Sequence, residues 1–362
     1  MANKLDISQL DFDGIKDNLK TFLKQQDEFT DYDFEGSGMN ILLDVLAYNT
    51  HYLGYNANML ANEMYLDSAD QRSSVVSLAK QVGYTPRSAV SSQAKIDVLV
   101  NNGSGASITM ARGTKFTTTV DGTNYSFVNN ADVSISPVDG VYKFSNLDIY
   151  EGTYLNYKYT ANTSDTEQRF IIPNDNVDTT TLSVKVQNST SDSTTNTYTL
   201  AQGITGLDST SRVYFLQEVE NGRFEVYFGD GVLGKAIADG NIVILDYITC
   251  NRDEPNGATT FALSGNVGGF SNVTITTVEN ASNGDGPESI TSIKYNAPRD
   301  YTSQDRAVTA DDYKVLVKSL YANAQSVQVY GGEDAATPDY GKVYISIKAK
   351  SGSNLTTSTK ES

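Results

Sequence analysis

Hydrophobic positions along this chain change their pattern twice, and each of the three stretches marks a different kind of structure. Phe12, Ile15, Leu19, Phe22 and Leu23 recur at three- and four-residue spacing, the signature of one helix face. A longer helix is predicted from near Ser37 to near Tyr65; at 1.5 Å per residue it would run roughly 40 Å. Leu42, Leu46, Leu53 and Leu60 fall on one stripe with Asn49 and Asn56 interleaved. Ile41, Val45, Tyr48, Tyr52, Tyr55 and Met59 populate neighbouring faces. So much apolar surface on one helix points to packing on more than one side. An Asn inside a packed stripe costs stability but can fix register and partner; the alternative is that both asparagines lie in water at the stripe's edge. A third helix is predicted from near Asp70 to Val82, with Gly83 at its C′ position and Pro86 beyond it as a stop.

From about residue 91 to 290 the period falls to two. Ile96, Val98 and Val100 alternate with polar residues, and Thr, Ser, Asn and Gly become dense. Asn102-Gly103, Asp121-Gly122, Asp139-Gly140, Asn221-Gly222 and Asp239-Gly240 are turn dipeptides that separate strands. The polar stretch near Tyr159–Glu167 marks a break between two β modules. Asn188–Asn196 reads as a long exposed loop. From about 296 a small α+β unit follows. Thr309 and Asp312 form a capping-box analogue ahead of a helix face of Tyr313, Leu316, Val317 and Leu320. Val327 and Val329 open one strand; Val343, Ile345 and Ile347 form another. Ser353–Ser362 resembles the polar start of a helix, so the natural protein is expected to continue past Ser362. The fold class is multidomain α+β. It comprises a helical bundle segment at 1–90, β modules at 91–160 and 161–295, and an incomplete α+β unit at 296–362.

The strongest chemical candidate is Gly229–Lys235. Gly229-Asp-Gly-Val-Leu-Gly234 spells G-x-G-x-x-G, and Gly229 to Lys235 is one residue short of a P-loop. A dinucleotide site needs a helix after the glycines, so that its N-terminus faces the pyrophosphate. Here a strand, Phe224–Phe228, is followed by a loop, a turn at Asp239-Gly240 and a β-branched run. Position 236 is Ala where a P-loop needs Ser or Thr, and Asp230 would put a carboxylate among the phosphates. The segment is therefore expected to be a glycine-rich strand connection. Asp31-Tyr-Asp33-Phe-Glu35-Gly36 imitates the start of a calcium loop, but Leu42 stands where the bidentate Glu belongs. Its acids are better suited to capping the long helix.

Composition narrows the remaining classes. The chain has 362 residues, 39% hydrophobic and 20% charged, which suits a folded protein of several domains. The net charge of −17, 44 acids against 27 bases, repels phosphate backbones, so no nucleic-acid partner is expected. No run of eighteen apolar residues occurs, so no membrane span is expected. Met1–Leu10 lacks the basic and apolar parts of a signal peptide, and the chain is expected to be made inside the cell without an export signal. His51 is the single histidine and Cys250 the single cysteine. One of each cannot build a His/Cys metal site. A Ser-His-Asp triad would need His51, which sits mid-helix among aromatics and reads as structural. Cys250 lies in an apolar run and reads as a buried, inert thiol. No catalytic, cofactor-binding or metal residues are assigned, and no cofactor or small-molecule substrate is expected.

Three blocks together carry a resemblance. The first runs from Phe34 to Tyr48, then Asn62–Ala69 and Val82–Arg87. The second is Val226–Lys235, with Gly240–Val243 and Asn256-Gly257 after it. The third is Ala297-Pro-Arg299 and Arg306–Tyr313. In this order they resemble the baseplate J-like family, and within it the T4-type baseplate wedge subunits of contractile-tailed phages. The resemblance implies a structural, non-enzymatic subunit of the virion tail baseplate, assembled in the host cytoplasm. It implies N-terminal helices bundled with a second copy and with another wedge protein. It also implies C-terminal parts linking neighbouring copies into a ring, which rearranges on attachment and triggers sheath contraction. Wedge subunits of this kind are longer, with further C-terminal regions that this sequence lacks. Two other classes stand beside this one. A receptor-binding or adhesin module would fit the Thr/Ser/Asn-rich β region, but no internal repeat is found; binding of host cells would favour it. A wall-degrading hydrolase would need a carboxylate pair, and no spacing singles one out; hydrolysis of peptidoglycan would favour it.

Overall fold

The protein is described by a computed structural model over residues 11–26, 36–101, 107–201, 203, 206–303, 306–321, 324–335 and 337–349. Asp31–Glu35 of the calcium-like turn, Asn102-Gly103 and Ser353–Ser362 lie outside the described residues. The chain divides into two compact units, Met1–Val82 and Gly83–Ser362.

The first unit is helical, as the periodicity predicts. Helix α1 (Phe12–Leu23) starts where the Asp11 carboxylate accepts the Gly14 amide at 2.7 Å. Helix α2 (Gly38–Glu63) starts where the Ser37 hydroxyl accepts the Asn40 amide at 3.0 Å. At its end Glu63 reaches forward and accepts the backbone amides of Asp70 and Gln71, immediately ahead of helix α3 (Arg72–Gln81). The Ser74 hydroxyl, with the Asp70 amide, holds the Glu63 carboxyl below the ordinary glutamate range. Gly83 follows α3 with φ of +83°, the left-handed geometry expected at C′.

The second unit opens with β1 (Gln93–Asn101), β2 (Ile108–Met110), β3 (Lys115–Val120), β4 (Thr123–Asn129), β5 (Val133–Ile135) and β6 (Val141–Glu151). There follow β7 (Thr153–Thr160), β8 (Phe170–Ile171), β9 (Val177–Gln187), β10 (Thr195–Leu200), β11 (Val213–Glu218), β12 (Phe224–Phe228) and β13 (Ile242–Thr249). Strands β14 (Ala262–Ser264) and β15 (Thr274–Ser282) precede helices α4 (Ile290–Ser303) and α5 (Ala310–Leu320). The hairpin of β16 (Ala324–Gly331) and β17 (Val343–Ala349) ends the described fold.

Two large sheets carry the β region, ordered β14-β3-β4-β6-β1-β15 and β7-β13-β9-β10-β11-β12-β8. The alternation in β1 is realised directly: Ala94, Ile96, Val98 and Val100 are buried, and the residues between them are not. Asp121-Gly122, Asp139-Gly140 and Asn221-Gly222 all have positive φ at both positions, the geometry of tight hairpin turns. The strands are shared between sheets differently from the modules read in the sequence. β7 pairs with β13 of the second sheet, so the crossing between sheets falls at Gly152. After β13 the chain returns, and β14 and β15 complete the first sheet at its two edges. Gln93 thus pairs with Ser282.

Gly152 makes that crossing with φ of +131°. A Cβ there would overlap the Thr249 carbonyl oxygen and lie 2.7 Å from Ile248 Cγ2. Gly152→Ala is expected to cost about 2–4 kcal/mol, read as a lower denaturation midpoint, because it combines forbidden backbone with overpacking against main chain.

A buried polar cluster joins the two sheets. Asp246 on β13 accepts hydrogen bonds from the Tyr154 hydroxyl (2.8 Å) and Asn156 Nδ2 (2.6 Å). It also pairs with Arg112 and Lys185, each at 3.4 Å. Arg112 comes from the turn between β2 and β3. It donates as well to the Asn130 side chain and the Thr181 carbonyl, and it stacks over the Tyr154 ring. Burial pushes the Asp246 carboxyl up, but the Asn156 and Tyr154 hydrogen bonds and the two cations prevail and hold it below the ordinary range. A second hub, Glu288, accepts from the Tyr84 hydroxyl, the Arg87 amide, the Ser292 hydroxyl and Asn296 Nδ2. It fastens the first residues of this unit to α4.

Helix α4 lies in a stretch assigned from sequence partly to the second β module. Pro298 is inside it. A proline reads as a breaker because its ring removes an amide donor and crowds the preceding turn. Ile290, Ile293 and Ala297 are nevertheless at helical spacing, and the helix continues through Pro298 to Ser303. The capping box of α5 is present in both directions: Asp312 N donates to Thr309 Oγ1, and Thr309 N donates to Asp312 Oδ2.

Candidate assembly surface

Helix α2 is inverted relative to an ordinary amphipathic helix. Asn40, Leu43 and Ala47 are buried, and Asp44 is paired with Lys16 of α1. Asn40, Asp44, Ala47, His51, Gly54, Asn58 and Ala61 alternate at four- and three-residue steps, so this row is polar or small. His51 sits on it, half-buried. The large apolar residues point the other way. From Ile41 to Tyr65, twelve of them are between 40% and 67% exposed, including Leu46 at 54% and Leu53 at 64%.

At 100° per residue these side chains resolve into two adjacent rows. One is Leu42, Leu46, Asn49, Leu53, Asn56 and Leu60; the other is Ile41, Val45, Tyr48, Tyr52, Tyr55 and Met59. Both step by four and three residues, the spacing of a helix-packing seam. Neither row contains a charged residue. Tyr48 and Tyr52 stack on each other with ring centroids 6.2 Å apart. If each exposed side chain leaves on the order of 100 Å², the face totals on the order of 1,000 Å², against the few hundred a typical monomer shows. The stripe named from sequence is therefore open in the single chain. Asn49 is exposed and Asn56 half-buried. The covered side of α2 is a mixed one, with Leu43 and Ala47 buried beside Asn40.

The Gly229–Lys235 segment follows β12 and is a closed turn. Asp230 Oδ1 accepts the amides of Val232 and Leu233, both at 2.9 Å. Leu233's amide, then Val232's, hold the Asp230 carboxyl below the ordinary range. The Gly231 amide donates to Gly234 O, the Gly234 amide to Asp208 O, and the Lys235 amide to Ser211 O. The amides that would cradle a phosphate are occupied by the protein's own acceptors. Gly229 is required because a Cβ there would overlap the carbonyl groups of Leu233 and Gly234. β12 and β13 are not neighbours in their sheet, so the connection is a crossover and not a hairpin. Titration with Mg-ATP or NAD in a calorimeter is expected to give no binding heat.

Cys250 is buried, with its thiol 3.5 Å from the Asn176 carbonyl oxygen. Burial pushes the thiol up to about 11, so it carries almost no thiolate at neutral pH. Among the described residues no group of three or more His, Cys, Asp or Glu is placed to hold a metal ion. No described helix is long and apolar enough to cross a membrane.

Three family models match successive parts of the chain. Residues 11–84 match "Baseplate wedge protein gp6-like, helical domain". Residues 157–256 match "Bacteriophage baseplate wedge protein gp6, third domain". Residues 309–362 match "Baseplate structural protein gp6, C-terminal domain I". The "Baseplate wedge protein gp6" of Enterobacteria phage T4 is 31% identical over 378 residues, covering 97% of this chain and 55% of the relative. The chain thus spans about half the length of that relative. A cryo-EM structure of the anti-feeding prophage (AFP) baseplate, 6-fold symmetrised, aligns over 87% of this chain and 65% of that one. Its sequence identity is 12% and its TM-score 0.32, too low an overlap to bear on the fold. Three gp6-type family models matched in chain order, and a T4 relative aligned along 97% of this chain, make the chain similar to the gp6-like baseplate wedge proteins.

Proposed function

We propose that this chain is a structural subunit of a contractile-tail baseplate wedge. In this reading it assembles with a second copy and with other wedge proteins, and neighbouring wedges join into a ring. The ring rearranges when the tail attaches and so triggers sheath contraction. The observation that carries the proposal is the uncharged apolar face of α2, which a lone small helical unit leaves in water. Its function is packing between proteins, not turnover of a substrate. Assembly takes place in the host cytoplasm and the product resides in the virion tail. Residues 1–90 serve as the assembly domain, the two β modules as a spacer, and the unit from 296 as part of the links between copies. Membership of the wider baseplate J-like grouping belongs to the same proposal, supported by the Val226–Lys235 block.

The test is direct. Mixed with the other wedge proteins of its own phage, the chain should elute as one hetero-oligomer of defined mass by size exclusion with light scattering. A monomer that binds none of them would overturn the proposal.

A further inference from the structure

The chain passes between the two large sheets twice, and one buried carboxylate ties the two passages together. β6 ends at Glu151, directly before the Gly152 crossing; β13 ends at Thr249, and Asn251 lies on the way back to the first sheet. Glu151 Oε2 accepts the Asn251 amide at 2.8 Å, and Oε1 accepts Asn251 Nδ2 at 2.7 Å. The Glu151 amide donates to Ser92 O, immediately ahead of β1. Glu151 is only 1% exposed, and among the described residues no lysine or arginine pairs with it. Arg252 is turned onto the Asn176 side chain and Arg223 onto Asp175. The other titratable groups at the joint are Tyr125 of β4, Asp175 ahead of β9, and Cys250 and Glu254 after β13; Asp178 of β9 acts on the same Cys250. Burial pushes the Glu151 carboxyl above the ordinary glutamate range, and the Glu254 charge adds to it, against the pull of the two Asn251 hydrogen bonds. The carboxyl borders a polar cavity of about 330 Å³, which gives protons a path to it.

A carboxylate only accepts, whereas a protonated carboxyl also donates from one oxygen. If Asn251 turns its side-chain amide over, its Oδ1 meets the new O–H while its main-chain amide keeps the other oxygen. Both contacts survive protonation, and the buried charge is gone. We propose that Glu151 and Asn251 form a pH-sensitive joint between the two crossings, locked when Glu151 takes up a proton and eased open when it ionises. The joint lies within the β region and does not depend on what covers α2.

The sign follows from linkage. The folded carboxyl lies above its unfolded value, so its stabilisation is complete below that value and is lost as pH rises through the raised folded one. Hydrogen exchange of the full chain, read by mass spectrometry and corrected for the intrinsic pH dependence, tests it. Relative to the strands of the first sheet, residues 250–256 should exchange more slowly as pH falls from neutral, by up to about tenfold per pH unit for one linked proton. Glu151→Gln offers the donor and acceptor of the protonated form at every pH. It should exchange slowly throughout, and it should melt above the unaltered protein at neutral pH, with the gap closing as pH falls. Exchange at 250–256 that is flat or quickens towards acid in the unaltered protein would overturn the proposal, as would a transition that survives in Glu151→Gln. Glu254→Gln alters an exposed residue and removes the like charge, so it should move the transition to lower pH. An unmoved transition also overturns the proposal, and this variant decides even if Glu151→Gln does not fold.

Discussion

Leu46→Glu combined with Leu53→Glu is expected to abolish co-assembly while leaving the fold intact. Both leucines are more than half exposed in the single chain. Surface changes away from packed features move stability by only about 0.5 kcal/mol, so the melting curve and far-ultraviolet spectrum should match those of the unaltered protein. In an assembly the same side chains would be buried. Each buried Leu contributes about 1.5–3 kcal/mol, and a carboxylate in its place adds a desolvation cost. Losing two therefore weakens association by at least about a hundredfold. Pull-down with the other wedge proteins, with circular dichroism as the control, checks both halves. Normal pull-down would place the interface elsewhere; an unfolded variant would mean that the leucines pack inside their own chain.

Asp246→Ala should have the opposite profile, a stability loss with no direct effect on the α2 surface. Asp246 is almost fully buried, and its removal leaves Arg112, Lys185, Tyr154 and Asn156 without their shared acceptor. Breaking a buried pair in this way costs about 3–5 kcal/mol. The pH dependence has a defined sign. The folded carboxyl is held below its unfolded value of about 3.9, so its linked stabilisation is complete above that value. It is lost as pH falls through the lowered folded value. The gap in denaturation midpoint between the two proteins should be constant near neutrality and narrow at acid pH. A gap independent of pH would mean that the Asp246 carboxyl is not depressed.

Much of the local structure was legible before any coordinates. Ser37 and Thr309 announce helix starts, Gly83 a helix end, and Ile96, Val98 and Val100 a strand with one face inward. The sequence argues against a nucleotide at these glycines through Asp230 and Ala236; in the structure Asp230 accepts the amides of Val232 and Leu233. The apolar stripes of α2 were visible too, and with them the candidate surface. Their exposure was not. Sequence spacing says which residues share a row, and both a polar and an apolar row fit the same period.

The sequence alone determined helices α1, α2, α3 and α5, the alternation of β1, several turn positions and the family blocks. Each depends on residues within a few positions of one another, where backbone sterics, capping and side-chain period decide the outcome. Only the tertiary structure decided that β7 joins the second sheet while β14 and β15 return to the first, that α4 runs through Pro298, that Arg112 meets Asp246, and that α2 buries Asn40, Leu43 and Ala47 while leaving its two apolar rows open. These are choices among partners distant along the chain. Closing a longer loop adds little free energy, so chain distance barely constrains the choice. The choice is set by which surfaces bury most when they meet, and no single segment encodes that.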